Sequence, residues 1–281
     1  MRKTMTACLL AALLLGACGG ESEPVETADP YEGMVQVESG FGTRMWVTEF
    51  KNVPVNPLAE ADFLNGEYTG ADFTVRRGID VSEHQGRIDW AEVAASGIDF
   101  AILRAGYRGY GEAGTMRRDL YFVENMDGAL KHGLDTGVYF FSQATDPAEA
   151  EEEAAFLLEI LSDYGPEHMA LPVYYDWEDI AIDEARTDGI RGETITACAE
   201  AFCAKLREAG YQPGIYAYRY LGYFSYDLSR LRDCSLWIAA INSYPDFYYA
   251  HELWQYSANG DVAGVTGPVD LDYWFEPATE E

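Results

Sequence analysis

The sequence predicts an α/β fold: a barrel of parallel strands covered by helices, with the last helices missing. Three observations lead there. From Val75 onward, short apolar runs alternate with helix-patterned stretches, which implies a parallel sheet with covered faces. The alternation fades after Tyr218, where apolar runs follow one another with little helix between them. The whole stretch is about two hundred residues long, short for eight complete strand–helix units.

The elements follow in order. Residues 79–82 read as the first strand and 88–95 as a short helix begun by Asp89. The second strand is 100–105, followed by a helix over 120–132 that ends at Gly133. The third strand is 136–141. Asp146 as N-cap and Pro147 in the first turn then open a long helix to about residue 164. Residues 171–178 form the fourth strand, 192–209 a helix stopped by Gly210, and 213–218 the fifth strand. Residues 235–240, 252–257 and 268–272 complete the series as strands. Ahead of the barrel, Met34-Val35-Gln36-Val37 and Thr43-Arg44-Met45-Trp46-Val47 predict a hairpin across Gly40-Phe41-Gly42, with a turn at Asn56-Pro57. The division expected is a small extension over 34–75 and a barrel over 76–277.

The first residues predict export. Arg2 and Lys3 precede a short apolar run from Thr6 to Gly16, and Leu15-Gly16-Ala17-Cys18 follows. The run is too short to span a bilayer and fits a secretory signal over 1–17. Its ending resembles a bacterial lipoprotein signal, which implies cleavage before Cys18 and lipidation of that sulfur. Two or more acyl chains anchor stably where one binds reversibly. Residues 18–33, acidic and rich in Glu and Pro, read as a flexible tether. The expected location is outside the cytoplasm, held to the bacterial membrane.

The chain carries 19 basic and 48 acidic residues. Loss of Arg2 and Lys3 with the signal leaves 17 against 48, a formal charge of −31. Such a charge argues against nucleic acid and anionic membrane as binding surfaces. Past the signal and Cys18 there remain Cys198, Cys203 and Cys234, an odd number that makes no disulfide framework. Three buried thiols are expected, with one bridge to Cys234 as the alternative. The four His are scattered and no His/Cys cluster has zinc spacing. No metal, no cofactor and a monomer are expected.

The chemistry-bearing feature is Asp176-Trp177-Glu178, at the end of the apolar run Leu171-Pro172-Val173-Tyr174-Tyr175. Side chains alternate along a strand, so Asp176 and Glu178 share a face. Two adjacent carboxyls in a partly apolar site cannot both ionise easily, and one pKa rises. A neutral acid beside an anionic carboxylate is what glycosidic cleavage needs. The plainer reading is a strand-end Asp-x-Glu facing solvent. Barrel chemistry gathers at the carboxyl ends of the strands. Asp80, Arg104, Tyr139, Tyr216, Trp254 and Asp270 fall in or at the ends of other strands. Four acids from separate parts of the chain thus converge on one mouth.

These motifs, in this order, resemble glycoside hydrolase family 25, the lysozymes or N-acetylmuramidases. The match begins at Gly78-Ile79-Asp80-Val81-Ser82 and continues through His84-Gln85-Gly86 and Ile102-Leu103-Arg104-Ala105-Gly106. It goes on through Gly137-Val138-Tyr139-Phe140-Phe141, the Asp-x-Glu, and Gly214-Ile215-Tyr216. It ends with Leu236-Trp237-Ile238-Ala239, Leu253-Trp254-Gln255-Tyr256-Ser257 and Val269-Asp270-Leu271-Asp272. The resemblance covers residues 77–275 and leaves out the region before 75. It implies an irregular, incomplete (β/α) barrel of five strand–helix units followed by three strands. The implied activity is retaining hydrolysis of the β-1,4 bond between N-acetylmuramic acid and N-acetylglucosamine in peptidoglycan glycan strands.

The resemblance also implies roles. Glu178 is the general acid and later the base. Asp176 either orients the substrate's own 2-acetamido group for attack or attacks directly. Asp80 and Asp270 hold the saccharide and favour positive charge at the anomeric carbon. Asp272 rivals Asp270, which is preferred because it follows the valine of the family pattern. Tyr139, Tyr216 and Trp254 are implied sugar-facing aromatics, with plain core as the alternative. Arg104 bonds the acids or the substrate, or makes an ordinary ion pair. Two other readings stand beside this one. One is a wall-binding lipoprotein without turnover. The other is a family 18 chitinase-like enzyme, which also carries Asp-x-Glu on strand four but with a longer aspartate-rich signature that is absent here.

Overall fold

The computed structural model describes residues 29–40, 42–182 and 184–278. A compact unit runs from Gly33 to Glu281. The signal segment, Cys18 and most of the tether lie outside the described residues. Among the described residues no helix is long and apolar enough to cross a membrane.

The predicted hairpin is present as β1 (Met34–Glu38) antiparallel to β2 (Arg44–Thr48). A second small hairpin, β3 (Phe63–Leu64) and β4 (Glu67–Tyr68), follows. The remaining strands are β5 (Phe73–Val81), β6 (Phe100–Arg108), β7 (Met116–Arg118), β8 (Asp135–Ser142), β9 (Val173–Trp177), β10 (Pro213–Tyr218), β11 (Ser235–Ala239), β12 (Leu253–Gly260) and β13 (Val269–Pro277). Eight of them close a barrel in the order β5-β6-β8-β9-β10-β11-β12-β13, and β7 pairs on the side of β6. Strands β5 to β12 of the barrel run parallel, while β13 is antiparallel to both of its neighbours.

The helices are α1 (Trp90–Ala95), α2 (Phe122–Lys131), α3 (Pro147–Ile160), α4 (Gly192–Glu208) and α5 (Arg219–Phe224). The caps read from the sequence are formed. Asp89 accepts from the backbone N–H groups of Ala91 and Glu92, and Asp146 accepts from that of Glu149, with Pro147 in the first turn. Gly210 ends α4 in the left-handed region at φ +88°.

Two features depart from the expected pattern. The first and last strands are longer than expected, because β5 and β13 pair from Phe73↔Pro277 to Asp80↔Asp270. This ladder closes the barrel. Arg76 and Arg77 conceal it in the sequence, yet Arg76 reaches Asp135 at 2.5 Å and its guanidinium lies 5.1 Å from the Trp274 ring centre. Helix α5 is not among the helices read residue by residue. It is one and a half turns long and contains Gly222, so packing rather than propensity forms it. Leu221, Gly222 and Tyr223 are buried there, and Phe247 occupies the space a Cβ on Gly222 would need.

The core has two parts. Outward-facing strand residues pack under the helices, as do Val138, Tyr175, Ile215 and Ile238. Inward-facing residues fill the barrel: Phe100, Ile102, Leu171, Tyr174, Tyr216, Trp237 and Leu253. Gly78 and Gly214 make room for this filling, since a Cβ on either would overlap the ring of Phe100 or Tyr174. Cys198, Cys203 and Cys234 are free thiols.

Candidate active site

Above the aromatic filling, at the carboxyl ends of the parallel strands, lies a cavity of about 370 Å³. The alternation of each strand decides what enters it. Asp80 comes from β5, Arg104 from β6, Tyr139 and Phe141 from β8, Asp176 from β9 with Glu178 just past its end, Tyr216 from β10, Trp237 from β11, Gln255 from β12 and Asp270 from β13. All four predicted acids therefore line one cavity, as do Tyr139, Tyr216 and Arg104.

Trp254 does not. It occupies the outward parity of β12, is fully buried, and packs edge-on to Phe63 with ring centres 5.7 Å apart. Its Nε1 donates to the carbonyl of Ala240 at 2.7 Å. The expectation of a sugar-facing Trp254 is corrected to a core residue joining the barrel to the small hairpin. The tryptophan at the cavity is Trp237, 4.8 Å from the Tyr216 ring and 6.0 Å from that of Tyr139. In a strand buried on both faces, hydropathy alone does not reveal which residues point inward. Register with the neighbouring strand does: Ala239 pairs with Gln255, and Ile238 with Trp254.

Polar contacts fix the acids. Gln255 donates from Nε2 to Asp80 Oδ2 at 2.8 Å and accepts from the Tyr216 hydroxyl at 3.2 Å. Trp237 Nε1 donates to Asp272 Oδ1 at 2.9 Å. Asp272 is fully buried one inward step below Asp270, so the two rivals both belong to the site, Asp270 at the cavity and Asp272 beneath it. Gln143 holds the end of β9 by donating to the carbonyl of Glu178 at 2.9 Å, and is itself held by the Thr187 hydroxyl at 3.1 Å. Arg104 lines the cavity while its Nε donates to Asp119 at 2.8 Å and its Nη2 lies 3.3 Å from Glu83. Sequence reasoning missed Gln255 and Trp237 as site residues, although both lie inside motifs it singled out.

Five carboxyls in one closed mouth cannot all be charged. Burial pushes Asp176 well above the usual carboxylate range, and neighbouring Glu178 adds to it, while Arg104 pulls the other way. Burial raises Glu178 to about 6, with Asp270 contributing. Burial likewise raises Asp80 well up, helped by Asp272 and Asp270. It takes Asp272 to about 8 and raises Asp270 as well. Two buried oxygens, Asp176 Oδ1 and Asp272 Oδ2, have no N–H or O–H donor. Each belongs to a carboxyl with a second carboxyl beside it, Glu178 for Asp176 and Asp80 for Asp272, and burial favours a proton held within each pair.

Comparison with known proteins identifies a family. The sequence pattern of Glycosyl hydrolases family 25 matches residues 79–265. The chain is 28% identical over 202 residues to the Autolytic lysozyme of Clostridium acetobutylicum, covering 71% of this chain and 56% of that protein. It is 25% identical over 208 residues to Lysozyme M1 of Streptomyces globisporus, covering 71% of this chain and 68% of that protein. Among solved structures it resembles the modular autolysin LytC from Streptococcus pneumoniae, determined in complex with a synthetic peptidoglycan ligand. There the TM-score is 0.63 at 26% identity, over 86% of this chain and 57% of that one. It also resembles the bacterial lysozyme from Streptomyces coelicolor, with a TM-score of 0.57 at 23% identity over 71% of this chain and 91% of that one.

Proposed function

This chain belongs to glycosyl hydrolases family 25, and from that premise we propose that it is an N-acetylmuramidase that cleaves peptidoglycan with retained anomeric configuration. The observation that carries the reading is that Asp176 and Glu178, at the end of β9, line one cavity with Asp80 and Asp270. Inverting glycosidases keep their two carboxyls roughly 6.5–9.5 Å apart to leave room for a water. Asp176 and Glu178 are close enough to perturb each other directly, which leaves no such room.

The pair supports assistance by the substrate's 2-acetamido group. The Asp176–Glu178 pair holds one proton between them. An acetamido N–H presented to Asp176 favours its anionic form, so the proton is carried by Glu178. Glu178 then protonates the leaving oxygen while the acetamido oxygen attacks the anomeric carbon. Positive charge develops beside the carboxyls of Asp80 and Asp270, whose oxygens are already oriented toward the cavity and stabilise it. Glu178, now anionic, activates the water that opens the cyclic intermediate on the face the leaving group left, so the configuration is retained. Proton NMR of the first product tests this: the β anomer should appear first at the new reducing end, and the α anomer appearing first would contradict the route.

Where the enzyme works is part of the same proposal. The signal over 1–17 and lipidation at Cys18 would tether it outside the cytoplasm, beside the glycan strands.

A further inference from the structure

The strand ends that carry the acids continue into a second hollow. On β10, Tyr216 lines the catalytic cavity, and Tyr218, the next residue on that face, lines a hollow of about 480 Å³. On β11 the same step runs from Trp237 to Ala239. The Tyr218 hydroxyl donates to Asp179 at 3.1 Å, next to Glu178. The hollow therefore begins where the catalytic cavity ends.

Three segments build it. Helix α5 supplies Tyr220 and Phe224, which are 60% and 48% exposed with ring centres 5.1 Å apart. The loop after β11 supplies Ile241, which is 64% exposed. The β1–β2 hairpin supplies Gly40 and Met45, and it lies outside the residues 79–265 that match the family. Arg219 ties the three together. Its guanidinium pairs with Asp246 of the loop and lies against Gly40, where a Cβ would meet Arg219 Nε at 3.0 Å. Gly40 is at φ +82°, a conformation that favours glycine.

Exposed apolar side chains gathered at one hollow mark a binding surface. Flat aromatic faces with a few polar groups are the composition of a small-ligand site. We infer that this hollow is a saccharide subsite, built in part by the N-terminal hairpin, that takes the next sugar units of the glycan strand beyond those over the carboxyls. The inference rests on the muramidase reading for the identity of its ligand. A pyranose ring offers an apolar face to Tyr220 and Phe224. A peptide stem, by contrast, brings carboxylates that call for available cations. Among the described residues lining the hollow the cation is Arg219, whose side chain is mostly buried and pairs with Asp246 through Nη2.

The test is calorimetric binding of short and long peptide-free glycan strands to the full chain carrying Glu178→Gln, which blocks turnover. Adding Tyr220→Ala and Phe224→Ala should reduce the ratio of long-strand to short-strand affinity by about tenfold. Ile241→Ser, on the opposite wall, should act in the same direction. All three side chains are exposed, so a melting curve like that of the parent is expected. An unchanged ratio in both variants would overturn the subsite, as would displacement of long strands by free stem peptide in the parent but not in the ring variant. The binding readout does not depend on turnover. A wild-type chain that releases no reducing ends would contradict the muramidase reading, and the affinity ratio would still decide the subsite.

Discussion

Glu178→Gln is expected to lower kcat on peptidoglycan by about 10³–10⁴-fold with little change in KM, the range for losing a group that acts in both steps. The substitution keeps the shape of the side chain and the backbone contact to Gln143. It removes the proton that the leaving oxygen needs. The pH dependence identifies the cause. The wild-type pair works while it holds one proton. With Glu178 raised to about 6 and Asp176 also raised by burial, kcat/KM should climb tenfold per unit up to about pH 6. It should then level off and fall only where the last proton leaves, well above the usual carboxylate range. Asp176→Asn leaves Glu178 as the one acid of the pair, so the rising limb below pH 6 should be lost and the residual activity should fall as Glu178 ionises. A Glu178→Gln enzyme with more than a tenth of the wild-type rate would contradict the assignment.

The second large effect is on stability. Asp272 is fully buried and its pKa is raised from 3.8 to about 8. Above about pH 4 the unfolded chain has released this proton while the folded chain keeps it. The folded state then binds more protons, so stability falls as pH rises from about 4 to about 8. At about 1.4 kcal/mol per unit, the penalty at pH 7 is on the order of 4 kcal/mol. Asp272→Asn keeps an acceptor for Trp237 Nε1 and offers an N–H to Asp80 in place of the shared proton. It should therefore be the more stable protein at pH 7 by up to that amount, and nearly equal to wild type at pH 4. Urea denaturation at the two pH values measures this. A variant equally destabilised at both would show that Asp272 is held ionised.

The barrel was legible because its strands are short and apolar and its helices carry strong punctuation, such as Asp146-Pro147 and Gly210. The acids were legible because alternation puts Asp176 and Glu178 on one face and barrel chemistry gathers at strand ends. Tertiary context hid the rest. The β5–β13 ladder was disguised by Arg76, whose charge is answered by Asp135 and whose guanidinium stacks on Trp274. Parity in doubly buried strands was invisible, so Trp254 was placed at the cavity in place of Trp237. Gln255 gave no chemical signal of its own and gains its role from contact with Asp80, 175 positions away. Helix α5, six residues with a glycine inside, carried no periodicity to read.

The most direct test of the central claim is reducing-end release from purified peptidoglycan by residues 19–281, followed by borohydride reduction and mass spectrometry of the products. New ends on N-acetylmuramic acid, absent with Glu178→Gln, are the predicted result. New ends on N-acetylglucosamine would move the cleaved bond and contradict the muramidase assignment. No release, with the protein still pelleting with the wall, would contradict catalysis itself and leave a wall-binding protein on this barrel.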